Sequence, residues 1–528
     1  VRRPAVLRAG PKLAWRDNTL TVEGRSTFLV GSNQTGMMYY SPHEGPLVWD
    51  RDFTNMATHN FRLLRILHFS PFSKGGYEGR PTTNPLDLRE RPEKLVRQMD
   101  AIVQLAQKHR VAIFLSLHDW MPVGLTEEQL AAQADWNKFW AGRYRDVPGI
   151  LYDIQNEPSV DVPDRPDLVA LWNEFLKAQY GSDEALRAAW REHPPQAALP
   201  NVPLGQLSED WNDTRAADRR RFTVTVLERW VRANVEGLRA GDPEALVTVG
   251  YLPSMPPADK LLGTEHLDFS NMHYYGPVSG FPTDFLFSDR RLLGQGLTVG
   301  ECGAQEAHDL RTWGREDVPV TESVERFQSY IHYAVGLGAG FLCNWCWKEL
   351  DEMVFPWGLI QRQSDIARPW VHTWEQESLL LGLTQLRPTS PKVWVLTPDR
   401  HRQGPRFNEL HNALKRSFEL LLDQSVPFAV CTEQDLDRLP PPAKALVWPL
   451  PYCPDDATFA RVLAWVKKGG TLYLSGDVQF DESRRPTRAA RREQLGLPPT
   501  PPLSPFAVTD GEFGKPIVQT KVGEGKVY

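Results

Sequence analysis

Ile150-Leu151-Tyr152-Asp153-Ile154-Gln155-Asn156-Glu157-Pro158 is the stretch on which the fold turns. Ile150 to Gln155 reads as a short β-strand, and Pro158 breaks it because proline brings no N–H to a ladder. Glu157 is thereby left just beyond the strand's carboxyl end. Working back towards the start, the helical pattern from Pro92 to His109 leads into the apolar run Val111 to Leu117, a preceding strand. Leu63 to Phe69 and Phe28-Leu29-Val30-Gly31 supply two earlier strands, after a hairpin-like lead through Trp15 and Val22. Working forward, Leu246 to Val249, Phe269 to His273, Leu297 to Gly300 and Gly340 to Trp345 supply four more. Eight strands, most followed by a helical pattern, close naturally into a (β/α)8 TIM barrel. The connection after the fourth strand is long, with helical patterns over Asp167 to Trp190 and Arg215 to Ala240 joined by a proline-rich stretch around Pro194, Pro195 and Pro200.

The barrel is expected to occupy residues 1–385, and a boundary falls near Arg387-Pro388-Thr389-Ser390-Pro391. From 391 to 528 a second α/β rhythm runs: strand Lys392 to Leu396, helix Phe407 to Asp423, strand Phe428 to Cys431, strand Ala445 to Trp448, helix Asp456 to Lys468 and strand Thr471 to Ser475. That pattern predicts a smaller doubly wound domain of flavodoxin-like character. Gly523 to Tyr528 reads as a hairpin cut in mid-strand, so the chain is expected to continue or to lack its tail.

Composition narrows the classes. A chain of 528 residues exceeds one ordinary core, and 41% apolar with 24% charged residues describes a globular protein. The net charge of -6 is scattered, with no basic stripe for nucleic acid. The run Arg484-Arg485 to Arg491-Arg492 reads as a solvated face. No run of about 18 apolar residues offers a membrane span. The five cysteines (Cys302, Cys343, Cys346, Cys431 and Cys453) are sparse, odd in number and unpatterned, against a disulfide framework. The start, Val1-Arg2-Arg3-Pro4, lacks an apolar leader; the cytoplasm is favoured, with secretion the alternative if a signal peptide has been removed. The 18 tryptophans suit either a sugar-stacking cleft or a large core, and composition alone does not separate the two.

Two glutamates stand where barrel chemistry is done. Glu157 follows strand four, and Glu301 ends strand seven in Leu297-Thr298-Val299-Gly300-Glu301-Cys302-Gly303-Ala304. Barrel sites form at the carboxyl ends of strands. A retaining cleavage of a glycosidic bond needs two carboxyl groups about 5–5.5 Å apart, one a protonated acid and the other an ionised nucleophile. Asn156, just before Glu157, could hydrogen-bond a sugar 2-hydroxyl, and Gly300 and Gly303 could admit backbone close to a ligand.

These residues resemble the clan A glycoside hydrolases, which share an Asn-Glu pair on strand four and a nucleophilic glutamate on strand seven. The resemblance covers the barrel from about Thr27 to Ser378. Asn156-Glu157-Pro158 and Gly300-Glu301-Cys302-Gly303 look most like family 5 cellulases and mannanases. In that comparison Arg65 matches the arginine beneath the nucleophile, His118 a subsite histidine, His273 and Tyr275 the His-x-Tyr of strand six, and Trp347 a sugar-stacking platform. Arg65 and Tyr275 would stabilise ionised Glu301. Phe175 to Ser182 with Ala189-Trp190 instead resembles the segment after strand four in family 42 β-galactosidases, which also carry a flavodoxin-like domain after the barrel and form trimers.

The resemblance implies a retaining β-glycosidase with Glu157 as acid/base and Glu301 as nucleophile, taking a β-linked carbohydrate and needing no metal or organic cofactor. Charge distribution and hydropathy point to no nucleic-acid or membrane partner, and the resemblance implies a homo-oligomer, a trimer in family 42. An exo-acting, β-galactosidase-like enzyme leads. An endo-acting β-glucanase or β-mannanase is the alternative, with a non-catalytic carbohydrate-binding barrel behind it. Cys343-Asn344-Trp345-Cys346 has CxxC spacing without a second ligand pair, so core thiols are expected. Cys453, in Pro451-Tyr452-Cys453-Pro454, lacks the glycines of a nucleophile elbow, which leaves the second domain a scaffold.

Overall fold

The computed structural model describes residues 2–34, 45–67, 84–118, 121–160, 162–191, 194–195, 197–205, 208, 210–251, 264–303, 320–348, 357–361, 366–386, 390–398, 406–441, 443–503 and 518–528. Phe69, Asp119, Trp120, Ala304 and the Arg387-Pro388-Thr389 part of the expected boundary lie outside them. The chain forms two compact units. One comprises Val1–Val160, Leu227–Pro253 and Lys260–Pro388, and the other Asp161–Val226, Ser254–Asp259 and Thr389–Tyr528.

The first unit opens with a small antiparallel sheet of β1 (Leu13–Arg16), β2 (Thr19–Val22) and β3 (Arg25–Ser26). Eight parallel strands then close on themselves: β4 (Leu29–Gln34), β5 (Leu63–Ile66), β6 (Ala112–Ser116), β7 (Ile150–Asn156), β8 (Leu246–Tyr251), β9 (Ser270–Tyr274), β10 (Leu297–Cys302) and β11 (Phe341–Asn344). Each lies within a few residues of its expected place. Helices form where apolar residues recur at helical spacing: Glu93–Lys108 buries Leu95, Met99, Ile102, Val103 and Ala106. Glu127–Tyr144 is started by a reciprocal capping box between Thr126 and Gln129.

The barrel interior is layered, and the layering positions the site. At the amino ends of the strands Leu29, Leu63, Ala112, Phe114, Leu151, Phe269 and Phe341 pack with Leu20 of the lead-in sheet. Along each strand the side-chain period is two, so the next inward residues are Asn33, Arg65, Asp153, Asn271 and His273, all fully buried. Apolar bulk closes the bottom and polar groups fill the top.

In the second unit the sheet runs β13-β12-β14-β15-β17-β16, built from β12 (Val393–Thr397), β13 (Phe428–Thr432), β14 (Ala445–Trp448), β15 (Thr471–Leu474), β16 (Thr520–Val522) and β17 (Gly525–Val527). Its first four strands follow the flavodoxin-like order, all parallel, and β16 and β17 form an antiparallel edge hairpin. The helices Pro166–Tyr180 and Asp183–Ala189 belong to this unit's own core. There Asp218 is fully buried and accepts from the Tyr180 hydroxyl at 2.5 Å and the Trp190 Nε1–H at 2.7 Å.

One expectation needs amending, and one question that composition left open is answered. The arginine run is not wholly solvated: Arg491 is buried and donates to the carbonyls of Pro454, Val478 and Phe480. Tryptophan is mostly core material, since Trp49, Trp136, Trp140, Trp172, Trp230, Trp347, Trp370, Trp374, Trp394 and Trp448 are all fully buried. All five cysteines are buried free thiols. Cys453 sits in a strand-to-helix turn at a positive φ of 53°, but burial pushes its thiol up to about 12, so it is no ready thiolate. Among the described residues no helix is long and apolar enough to cross a membrane.

Candidate active site

The two glutamates reach one place through two irregularities of the ladder. In β7 the pairing with β8 slips between Asp153 and Asn156, and in β10 the pairing with β9 slips between Val299 and Glu301. A bulge of this kind inserts a residue and re-aims the side chains beyond it. Past the first slip, Glu157 donates its N–H to the Gly250 carbonyl at 3.0 Å and adopts a φ of 45°, a left-handed conformation uncommon for a residue with a Cβ. Past the second, Glu301 pairs with inward-facing His273. One carboxylate oxygen of Glu157 and one of Glu301 lie within 4.8 Å of each other. The Glu157 side chain is 25% exposed and that of Glu301 only 5%.

His273 stands between them. Its Nδ1 lies 2.9 Å from Glu157 Oε1 and 3.6 Å from Glu301 Oε1. The ring fits because residue 250 is glycine: a Cβ there would come within 2.5 Å of His273 Nε2. Gly300 serves a similar end, since its Cβ would meet the Asn271 amide at 2.6 Å, and that amide accepts from Thr298 at 3.0 Å. A Cβ on Gly303 would meet the Trp345 carbonyl at 2.8 Å. These two glycines make room for the site's own walls rather than for a ligand.

Arg65, fully buried, is the hub beneath. It forms an ion pair with Glu301 Oε1 and a second with Asp153, and it donates to Asn33 Oδ1 at 3.1 Å and Asn156 Oδ1 at 2.8 Å. Its guanidinium also lies 5.5 Å from the centre of the Phe114 ring, at the top of the apolar layer. Asp153 is fixed in turn by the Gly250 N–H at 3.0 Å. The other oxygen of Glu301 accepts from the Tyr275 hydroxyl at 2.6 Å. Burial first, and then the charge of Glu301, push that hydroxyl well above its ordinary range, so Tyr275 remains a donor.

The structure therefore gathers Glu157, Glu301, Asn156, Arg65, His273 and Tyr275 at one end of the barrel. Two expected residues are placed elsewhere. Trp347 is fully buried, edge-on to Phe61 at 5.2 Å between ring centres, and offers no face to a sugar. Trp345, two residues earlier, is partly exposed and packs in a cluster with Cys346, Trp357 and Tyr275. His118 is also fully buried; its Nε2 meets Asn234 Oδ1 at 3.0 Å, and the same oxygen accepts from Asn137 at 2.8 Å. It is a wall residue, and burial holds its pKa down at about 3, so the ring is neutral.

Asn33, Asp153, Trp345 and Trp357 are site residues that sequence reasoning missed. Asn33 and Asp153 carried a usable signal, since each lies at even spacing above an inward apolar residue, Leu29 and Leu151 respectively.

No family model and no curated protein matches the chain. Solved structures do. A cold-adapted β-galactosidase from Rahnella sp. R3 superposes with a TM-score of 0.70 at 16% identity, covering 92% of this chain and 76% of that one. A GH42 β-galactosidase from G. stearothermophilus gives a TM-score of 0.68 at 15% identity, over 90% and 74%. The exo-β-1,4-mannosidase Op5Man5 from Opitutaceae bacterium strain TAV5 gives 0.58 at 14% identity, over 89% and 80%. At such identities the likeness is one of fold, and it joins the two families whose features the sequence resembles.

Proposed function

We propose that this chain is a retaining β-glycosidase in which Glu301 is the nucleophile and Glu157 the acid/base. The observation that carries the reading is the approach of the two carboxylates to within 4.8 Å at the carboxyl ends of β7 and β10. That separation suits direct attack by one carboxylate, whereas an inverting pair stands about 6.5–9.5 Å apart to admit water between. Glu301 attacks the anomeric carbon while Glu157 gives its proton to the departing glycosidic oxygen. A glycosyl ester on Glu301 results. Glu157, now ionised, takes a proton from water, whose oxygen displaces Glu301 and releases the sugar with its configuration kept.

The asymmetry of the pair supports this division of roles. Glu301 is held by Arg65 on one oxygen and Tyr275 on the other, a setting for a fixed anion. Glu157 is the more exposed and meets a titratable imidazole, a setting for a group that gains and loses a proton. A divalent cation bound at Glu157, His273 and Glu301 is disfavoured, because Arg65 already supplies positive charge to Glu301.

For the sugar, an exo-acting β-galactosidase reading leads, supported by likeness to β-galactosidases over most of the chain. A β-mannoside is the second reading, supported by the likeness to an exo-β-1,4-mannosidase. Assembly into a homo-oligomer goes with the first. A panel of aryl β-glycosides (galactoside, mannoside, glucoside, fucoside, xyloside, glucosaminide), run beside Glu157→Ala and Glu301→Ala, tests the proposal. Turnover of one sugar, abolished in Glu301→Ala, is expected; silence of the folded wild type on aryl glycosides and on β-glucan and β-mannan alike would sink it.

A further inference from the structure

Away from the cleft, His59 follows the helix Pro46–Thr58 as its C-cap, and His372 and Glu375 lie one turn apart on the helix Trp370–Leu383. These helices follow β4 and β11, the first and last strands of the barrel. Both imidazoles turn Nδ1 to the same carboxylate oxygen: His59 stands 3.1 Å and His372 3.4 Å from Glu375 Oε2. All three ligand atoms lie within 4.8 Å of one another.

We propose that His59, His372 and Glu375 are a binding site for a divalent transition metal of the zinc type, which would clip the last helix of the barrel to the first. Zinc takes imidazole nitrogen and carboxylate oxygen at about 2.0–2.2 Å in a tetrahedron. Tetrahedral angles then put neighbouring ligand atoms about 3.3–3.4 Å apart, close to the two spacings found here. An imidazole–carboxylate donor set suits zinc and copper, while an all-oxygen set would suit calcium or magnesium. Partial exposure, 21% for His59, 28% for Glu375 and 67% for His372, leaves room for water as fourth ligand.

Two further observations favour a metal over a simple hydrogen-bond pair. Among the described residues no arginine or lysine pairs with Glu375, whose ion-pair partners are the two imidazoles. The contrast with Glu301, already neutralised by Arg65, is direct. Next to the cluster, Ser378 Oγ donates to the Asn60 carbonyl at 2.8 Å, which holds the two segments in register without the metal. The site is therefore preorganised, and a metal loses little by ordering it.

The test is titration of the whole chain, first stripped with a chelator, with Zn2+ by calorimetry and with Co2+ by visible absorption. One ion per chain is expected, with the absorption of tetrahedral cobalt and a thermal midpoint raised by Zn2+. His372→Ala, at an exposed position that should not disturb folding, is expected to weaken binding at least tenfold and abolish the thermal shift. Glu301→Gln is expected to leave both unchanged. Binding indifferent to His372→Ala, binding lost in Glu301→Gln, or no saturable binding by the folded chain would overturn the proposal.

Discussion

His273 Nδ1 lies 2.9 Å from Glu157 Oε1, and this imidazole is the link between the two carboxylates of the barrel. The contact exists because Gly250 leaves space for the ring and because the slip in β7 carries Glu157 over β8. Replacing His273 by Ala removes an imidazole neighbour from Glu157, the proposed acid/base. Activity is expected to fall, and the basic limb of the kcat/KM–pH profile to move. An unchanged profile would mean that the imidazole does not sense the proton on Glu157.

The hydroxyl of Tyr275 touches only one oxygen of Glu301, at 2.6 Å, so Tyr275→Phe tests that bond with little change of shape. A hydrogen bond to a charged group contributes about 1.5–3 kcal/mol. A loss of kcat/KM on the order of tenfold to a hundredfold is expected, measured on the best aryl glycoside. Equal activity would remove Tyr275 from the machinery.

Asp153 and Arg65 are both fully buried, and Asp153 offsets the guanidinium that also serves Glu301. Asp153→Ala leaves that charge partly unmatched. Breaking a buried pair costs about 3–5 kcal/mol, so the urea midpoint should fall well below that of the wild type. A midpoint within experimental error would show that Asn33, Asn156 and Glu301 suffice.

Trp345 and Trp347 make a crossed pair of predictions. Trp345→Ala is expected to raise KM with little loss of stability, because the ring is partly exposed beside Tyr275. Trp347→Ala is expected to destabilise by about 3–5 kcal/mol, the range for truncating a buried aromatic residue, with KM unchanged in whatever remains folded. The reverse assignment would restore Trp347 as the platform.

His118 predicts a pH dependence of stability. Its folded pKa is held at about 3 by burial, below the ordinary 6.5. The unfolded chain therefore takes up a proton first as pH falls, and stability is lost from about pH 6.5 downwards. His118→Gln cannot titrate. The gap in unfolding free energy between wild type and variant should shrink by roughly 1.4 kcal/mol per pH unit below 6.5. A constant gap would contradict the buried neutral ring.

Strand identity was legible because each β-run is apolar and ends in a break, as Pro158 shows after β7. The two glutamates were legible because barrel chemistry collects at strand ends, and Arg65 and Tyr275 only through the resemblance to family 5. What the sequence hid lies where simple alternation fails. Slips in β7 and β10 turn Asn156 and Glu301 inward against parity. Past Asn344 the chain leaves β11, so nothing local told Trp345 from Trp347. His118 also lies beyond its strand, and its partner Asn234 is 116 residues away in sequence.

The central claim is that Glu301 becomes the covalent carrier of the sugar. The direct test is to incubate the enzyme with a 2,4-dinitrophenyl 2-deoxy-2-fluoro-β-glycoside of the sugar it turns over, digest it and locate the label by mass spectrometry. The expected result is a single fluoroglycosyl ester on Glu301, formed with a stoichiometric burst of dinitrophenol. A label on Glu157, or rapid turnover of the parent glycoside with no adduct at all, would contradict the account.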